Sequence, residues 1–92
     1  MSEILVMQAE EGVFDVTVTD GASKSEHEVR AGLGELGLDG CDPRLVVEES
    51  FRFLLEREPK EAILASFELA RIGDFFPEYP AEIRKRMRGE LD

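Results

Sequence analysis

The amino-acid sequence predicts a single α+β domain: a small antiparallel sheet or hairpin of two or three strands, followed by a helical layer of three or four helices. The chain has 92 residues, which is too few for two separate cores. Residues 13–20 alternate between apolar and polar side chains, whereas helical spacing of apolar residues begins only after Asp42. We therefore divide the domain into a strand region (1–30), a glycine-rich connector (31–41) and a helical region (42–92).

The strand region contains one strong strand pattern and two weaker ones. In residues 13–20 (VFDVTVTD) one face is apolar and the other polar, which is typical of an antiparallel sheet with one face in water. Residues 4–7 form a short apolar run that fits a strand, and residues 26–30 fit the partner strand. An Asp-Gly pair at 20–21 begins the turn, and the polar run 22–25 predicts a loop longer than a tight two-residue hairpin.

The connector and the first helix are marked by glycine and proline. Four glycines alternate with leucines in residues 31–40, which predicts a mostly irregular segment anchored by its leucines, because each glycine costs a helix about 1 kcal/mol relative to alanine. Asp42 and Pro43 suit the N-cap and first position of a helix, and Pro59 ends it. Its predicted buried arc holds Val46, Val47, Ser50, Phe51, Phe53, Leu54 and Leu55, and Glu48 is expected to pair with Arg52 outside that arc.

The remaining apolar residues predict three shorter helices. The first covers residues 59–66, with Lys60 exposed and with inward Ile63, Leu64 and Phe67. The second covers residues 69–76 and carries apolar residues spaced by three and four, namely Leu69, Ile72, Phe75 and Phe76. After a proline corner at 77–80, the last helix covers residues 81–91, with Ile83, Met87 and Leu91 on one side.

The charge distribution limits the classes of partner. The net charge is −10; residues 1–50 carry twelve acidic and three basic side chains, and residues 51–92 carry nine and eight. Because phosphates and anionic lipids attract Lys and Arg, the first half disfavours a nucleic acid or a membrane. The single cysteine cannot form an internal disulfide, and no apolar run fits a signal peptide or a membrane span. We expect a cytoplasmic protein.

One long motif resembles a known family. The run FLLEREPKEAIL at 53–64, followed by Phe67, Leu69, Ile72 and the segment FPEY at 76–79, is similar to a family of short, uncharacterised bacterial proteins. The resemblance covers roughly residues 13 to 83 and includes a histidine in the second strand of that range, here His27. It implies an α+β fold, and it implies no activity, cofactor or catalytic residue.

Two side chains are candidates for chemistry, and each has a simpler interpretation. His27, between Glu26 and Glu28, has the side chain of a general base or metal ligand, but a zinc site needs three or four ligands and the only other soft one is Cys41. We therefore predict no metal and no catalytic residue, and favour a hydrogen-bonded strand histidine. Cys41 precedes a predicted helix, which favours a reactive thiolate, but the adjacent Asp42 opposes it.

Two features suggest an anionic partner. The last helix carries a basic cluster of Arg84, Lys85, Arg86 and Arg88, although cations near a helix C-terminus also stabilise its dipole. The predicted helices 59–66 and 69–76 resemble a helix-turn-helix in their spacing. The second helix of such a motif would expose Glu68, Arg71 and Asp74, a poor set for reading DNA.

The sequence favours a non-enzymatic protein-protein interaction module without a cofactor. Strong core patterns and strong charge polarity occur together with no catalytic motif, so we expect the partner to be another protein or a second copy of the chain. The candidate binding residues are His27, Arg84, Lys85 and Arg88. The alternative is a nucleic-acid-binding regulator that uses residues 59–76 and the basic helix, and a third reading is a small-ligand binder or weak enzyme around His27.

Overall fold

A computed structural model describes residues 2–89 and has an α+β fold, with a four-stranded sheet whose inner face packs against helices. The strands are β1 (Ser2–Glu10), β2 (Val13–Asp20), β3 (Ser23–Arg30) and β4 (Ser66–Glu68). The helices are α1 (Leu33–Leu36), α2 (Pro43–Leu55), α3 (Ile72–Phe75) and α4 (Tyr79–Met87). Single 3-10 turns at Lys60–Ala62 and Leu69–Arg71 flank β4.

The sheet has the order β1-β2-β3-β4 and is mixed rather than purely antiparallel. The first three strands form the predicted antiparallel arrangement, and β2 has the predicted bounds. The prediction of two or three strands was one short, because β4 pairs parallel to β3 through only three residues. Such a short strand has no sequence pattern of its own and forms only when the helical region folds back onto β3.

The β2–β3 connection is tighter than predicted. It is a two-residue turn at residues 21–22, with Gly21 at φ 63° and Asp20 opposite Ser23. The expectation of a longer loop was wrong because the polar residues Lys24 and Ser25 continue the strand, paired with Thr19 and Val18. Polar residues are tolerated there because this part of β3 lies mostly in solvent.

The predicted alternation along β2 and β3 is confirmed by the register. Val16 lies opposite His27, and Phe14 lies opposite Val29, so these four residues share one face of the sheet. That inner face is buried against the helices, whereas Asp15, between Phe14 and Val16, is exposed. A strand with a side-chain period of two buries every second residue, as its sequence indicated.

The helix α2 is the buried centre of the helical layer. Asp42 caps it by accepting a hydrogen bond from the Arg44 backbone N–H at 3.0 Å, and Pro43 occupies its first position, as predicted. Its predicted inner face is buried except for Leu55, which is half-buried, and the Glu48–Arg52 ion pair forms. Before it, the connector contains the single turn α1, anchored by the buried leucines Leu36 and Leu38.

Residues 59–68 differ most from the prediction, whereas the predicted helix 69–76 forms as a 3-10 turn that continues into α3. The helix predicted over 59–66 is one 3-10 turn followed by extended chain and β4, so the two successive helices of a helix-turn-helix do not form. Lys60, predicted exposed, is buried, and Leu64, predicted inward, is exposed. The spacing of Ile63 and Phe67 fits a helix, but both side chains are also buried by an extended segment beside β3.

The last helix begins earlier than predicted, at Tyr79, and buries Tyr79 and Ile83. Met87 is half-buried against the core, whereas Leu91, predicted to extend the same face, lies outside the described residues. Within residues 2–89, no helix has both the length and the apolar character needed to cross a membrane.

Candidate functional site

An apolar groove opens between the C-terminal end of α2, residues 62–64 and α3. Its volume is about 250 Å³. The chain forms it because Pro59 prevents α2 from continuing, so the backbone makes one 3-10 turn and then runs extended into β4. The segment that follows β4 returns as α3 and supplies the opposite wall.

The groove has a buried apolar floor and an exposed apolar rim. Leu64 is 51% exposed and Phe75 is 61% exposed, and both line the groove. The floor is formed by buried side chains, namely Leu54, Ile63, Phe67 and Ile72. A large apolar side chain left in water beside a concave apolar surface is typical of a binding site rather than of a core.

The walls of the groove are held by aromatic contacts with α2. The Phe67 ring lies 5.9 Å from the Phe51 ring, and the Phe76 ring meets the Phe53 ring edge-on at 5.9 Å. These separations lie in the favourable range for aromatic pairs. Because Phe51 and Phe53 are fully buried in α2, the groove is built directly on the hydrophobic core.

The groove offers apolar contact and little chemistry. Of the described residues that line it, Glu58 and Arg71 alone are ionisable, and the Arg71 guanidinium already lies 3.2 Å from the Asp74 carboxylate. Among residues 2–89, no group of three or more His, Cys, Asp or Glu side chains is placed to hold a metal ion. The arrangement suits the binding of an apolar side chain.

A cluster of charged side chains connects α2 with the start of α4 beside the groove. The Arg57 guanidinium lies 3.6 Å from the centre of the Phe53 ring, donates to the Phe53 carbonyl at 3.1 Å and donates to the Glu78 carboxylate at 3.1 Å. The pKa of Glu78 is lowered by its own backbone N–H and then by Arg57. Arg57 therefore holds the end of α2 against the Phe-Pro-Glu-Tyr corner.

Arg86 of α4 makes a second set of contacts to α2. Its side chain is only 10% exposed, and it donates to Glu82 at 3.0 Å and to Glu56 at 2.8 Å. Burial acts to lower the pKa of Arg86, but the hydrogen bonds that it donates to the Glu82 and Glu56 carboxylates raise it above its ordinary value. Arg86, a member of the predicted basic cluster, is therefore engaged in contacts within the protein.

The buried side chain of His27 joins β3 to the segment before β4. Its Nδ1 lies 2.7 Å from the Leu64 carbonyl oxygen, which can only accept, so Nδ1 carries a proton. In the neutral ring, Nε2 then accepts from the Ser25 hydroxyl at 2.8 Å. The ring also packs against Phe51 at 5.4 Å. Both nitrogens have partners, and the contact to Leu64 places His27 behind the groove rather than in it.

The other predicted binding residues lie together on α4 and away from His27 on β3. The Arg84 Nε donates to the Pro80 carbonyl at 3.1 Å, and its guanidinium lies next to Gly37 of the connector. Lys85 and Arg88 are exposed, at the end of α4 and at its C-cap. The structure therefore separates the four candidates into one buried strand residue and one helix end.

The groove was missed by sequence reasoning because its residues look like core. Leu64 and Phe75 lie at helical spacing from buried neighbours, and this spacing predicts that both point inward. The available signal was Pro59, which allows a helix to start but equally allows a single 3-10 turn. Only the path of residues 60–68 reveals which apolar side chains are left outside.

Comparisons with protein-family models, with curated proteins and with solved structures found no match for this chain. The resemblance based on residues 53–64 and 76–79 remains a prediction.

Proposed function

We propose that this protein is a non-enzymatic interaction module that binds an apolar segment of another protein in the groove between α2 and α3. The observation that carries the proposal is the pair of rim residues, Leu64 and Phe75, each more than half exposed above a buried apolar floor. Covering them removes a leucine and a phenylalanine from water, which favours association by about 25 cal/mol for each Å² of apolar surface buried.

The size of the groove favours side chains of a partner over a whole small molecule. Pockets for cofactors and drug-sized ligands usually hold about 300–1,000 Å³, and this groove holds about 250 Å³. That space accepts one or two large apolar side chains, such as those an amphipathic helix presents at positions three or four apart. Interfaces often depend on a few such anchors in a central pocket.

Charge adds a second requirement for the partner. Of the two charged residues that line the groove, Arg71 is paired with Asp74, which leaves Glu58, and the chain as a whole carries a net charge of −10. A partner segment with basic residues beside its apolar anchors is attracted to this surface, and an acidic one is repelled. The preferred occupant is therefore a short apolar segment flanked by Lys or Arg.

The test is a selection of binding peptides from a random library on the immobilised protein. We expect enrichment of peptides with two apolar residues at helical spacing and with basic flanks. Phe75→Ala and Leu64→Ala are expected to weaken binding of the selected peptides by about tenfold or more, as for removal of interface anchors. Leu45→Ala is the matched control, because Leu45 is 48% exposed on α2 and does not line the groove.

Three outcomes would contradict the proposal. One is selected peptides that bind the Phe75→Ala and Leu64→Ala variants as tightly as the original protein. Another is the absence of any enriched peptide. The third is capture of a nucleic acid from lysate in preference to a protein, with retention lost after nuclease treatment, which would favour a nucleic-acid-binding regulator.

A further inference from the structure

The strand β1 forms one edge of the sheet and is unusually open to pairing. It is nine residues long, and within residues 2–89 its only partner strand is β2. The strand contains no proline or lysine, and its irregularity lies at one end, between Gln8 and Glu10. Prolines, lysines and irregularities inside a strand usually protect an edge strand from pairing with another chain, and β1 has none of them between its ends.

The opposite edge of the sheet, formed by β4, is protected from pairing, in contrast to β1. β4 is only three residues long, so it offers few free backbone groups. A short edge strand is one of the ways in which proteins avoid edge-to-edge association. The fold therefore blocks one edge and leaves, at the other, the outward-facing N–H and C=O groups of alternate residues along a nine-residue strand.

Two exposed side chains in the middle of β1 are apolar, between the exposed acids Glu3 and Glu10 near its ends. Leu5 is 58% exposed and Met7 is 59% exposed. They lie on the outer face of the sheet, opposite Thr17 and Asp15 of β2. On the inner face, Val6 is buried and Ile4 is half-buried against the core.

We propose that two copies of this chain pair antiparallel through β1 and form a continuous eight-stranded sheet. The occupant is a second copy because the strand is complementary to itself about Val6. A two-fold axis at Val6 places Leu5 of each copy beside Met7 of the other, so two Leu–Met pairs form. It also places Ile4 opposite Gln8 and Glu3 opposite Ala9, so none of these opposing pairs joins two acids.

Neighbouring registers are less favourable. An axis at Leu5 also forms apolar pairs, Leu5 with Leu5 and Ile4 with Val6, but it leaves each exposed Met7 opposite a Glu3 carboxylate. An axis at Met7 places Leu5 opposite Ala9 and Glu3 opposite Glu11. Apolar pairs directly across two strands stabilise a sheet, and like charges destabilise it. Of these three axes, the one at Val6 pairs both exposed apolar residues, Leu5 and Met7, with large apolar partners.

The charge of the chain predicts how this association depends on salt. Each copy carries a net charge of −10, and most of it lies in residues 1–50, which include β1. Screening of this repulsion by added salt is expected to strengthen the dimer, since the Debye length falls from about 30 Å at 0.01 M to about 8 Å at 0.15 M salt. An interface based on opposite charges would weaken instead.

The first experiment measures mass against concentration by sedimentation equilibrium. We expect an equilibrium between the 10.3 kDa chain and twice that mass, with a dissociation constant that falls as NaCl is raised. Leu5→Glu is expected to raise this constant by about tenfold or more, because it replaces both Leu–Met pairs with Glu–Met pairs and adds two negative charges at the seam. Leu64→Glu is the matched control, with the same change in charge at a similarly exposed leucine in the groove.

The second experiment tests the register with a disulfide in a Cys41→Ser background. Val6→Cys places two cysteines opposite each other at about 4.5–5.5 Å between Cα atoms, within the range for a disulfide. Ile4→Cys is the control, because its two copies lie four residues apart, about 13 Å, along the paired strands. Mild oxidation is expected to link the Val6→Cys chains and not the Ile4→Cys chains.

The possible outcomes separate this proposal from the binding groove. A chain that remains monomeric at all concentrations overturns the β1 pairing and leaves the groove untouched. A dimer lost with Leu64→Glu but not with Leu5→Glu places self-association in the groove and also overturns it. Equal cross-linking of the two cysteine variants overturns the register.

Discussion

Tyr79 is the largest fully buried side chain of the protein, and its hydroxyl joins α4 to α2. Ser50 donates its hydrogen to the Val46 carbonyl at 2.7 Å, so its oxygen accepts from the Tyr79 hydroxyl at 2.7 Å. The ring meets Phe53 nearly edge-on at 5.2 Å. A buried phenol with one hydrogen-bond partner stays neutral, because the phenolate would lose its hydration.

This arrangement predicts a loss of stability at alkaline pH. Burial raises the pKa of Tyr79 from 10.0 to about 12, although the hydrogen bond to Ser50 acts in the opposite direction. Since the folded-state pKa is above the unfolded one, the stabilisation is complete below pH 10 and is lost as the pH rises from about 10 to 12. The loss amounts to about 2–3 kcal/mol.

Tyrosinate absorbance measures the ionisation of Tyr79 directly, because Tyr79 is the only tyrosine and the chain has no tryptophan. The folded protein should ionise near pH 12, and the protein in urea near pH 10. Tyr79→Phe is the control, since it removes the absorbance change and also the alkaline loss of stability. Ionisation near pH 10 in the folded state would mean that the phenol is accessible to water.

His27 illustrates why a single residue type does not identify a site. Its ring has two hydrogen-bond partners, Ser25 and the Leu64 carbonyl, and an aromatic neighbour, Phe51. These contacts give the residue a structural role that accounts for its burial. By fixing the Leu64 carbonyl on the inner side, they also help to keep the Leu64 side chain at the rim of the groove.

Among the elements, the connector contains two glycines whose roles are opposite. Gly34 lies inside α1 without a positive φ, and an added Cβ would meet only the Asp39 carboxylate at 3.5 Å. Gly37 ends α1 in the left-handed region, at φ 71°. The first position gains from a side chain that limits the unfolded chain, whereas the second is strained by any Cβ.

We therefore predict opposite effects of the same substitution three residues apart. Gly34→Ala is expected to stabilise the protein by about 0.5–1 kcal/mol, and Gly37→Ala to destabilise it by about 1–2 kcal/mol. Urea unfolding measures both, and each variant is the control for the other. If both variants were destabilised equally, the short helix α1 would not be formed in solution.

The elements that the sequence predicts well are those whose signals are local. The alternation in β2 specifies both its bounds and its buried face, and Asp42 with Pro43 specifies the start of α2. In each case the hydrogen bonds or the side-chain period lie within the element or its immediate neighbour. No other part of the fold is needed to interpret them.

The candidate site depends on contacts between distant residues, and this is why the sequence does not predict it. β4 exists only through pairing with β3, and the exposed position of Leu64 depends partly on a hydrogen bond to His27, 37 residues away. The burial of Lys60 likewise needs the rest of the fold; its ammonium donates to Glu61 at 2.6 Å, and this bond lowers the pKa of Glu61. Periodicity gives no information on such contacts.

The charges of the whole molecule are arranged in two different ways. In the helical region, acidic residues accept from arginines, as Glu56 does from Arg86. On the outer face of the sheet, Asp15 lies directly opposite Glu28, and both are exposed. Like charges directly across two strands are destabilising, whereas an exposed ion pair is weakly stabilising.

These two environments predict opposite effects of removing one negative charge. Glu28→Gln is expected to stabilise the fold by a few tenths of a kcal/mol, because it ends the repulsion with Asp15, and Glu56→Gln to destabilise it by a similar amount.

The radius of gyration is 12.3 Å, so at about 0.01 M salt, where the Debye length is about 30 Å, every charge acts on every other. Because the net charge is −10, repulsion dominates, and the melting temperature of the unmodified protein should rise as NaCl is added. Thermal unfolding of the three proteins at low and high salt, at concentrations that keep them monomeric, measures both effects, and the difference between the variants should shrink with salt. A melting temperature that falls with salt would show that the α2–α4 ion pairs outweigh the repulsion of the acidic sheet.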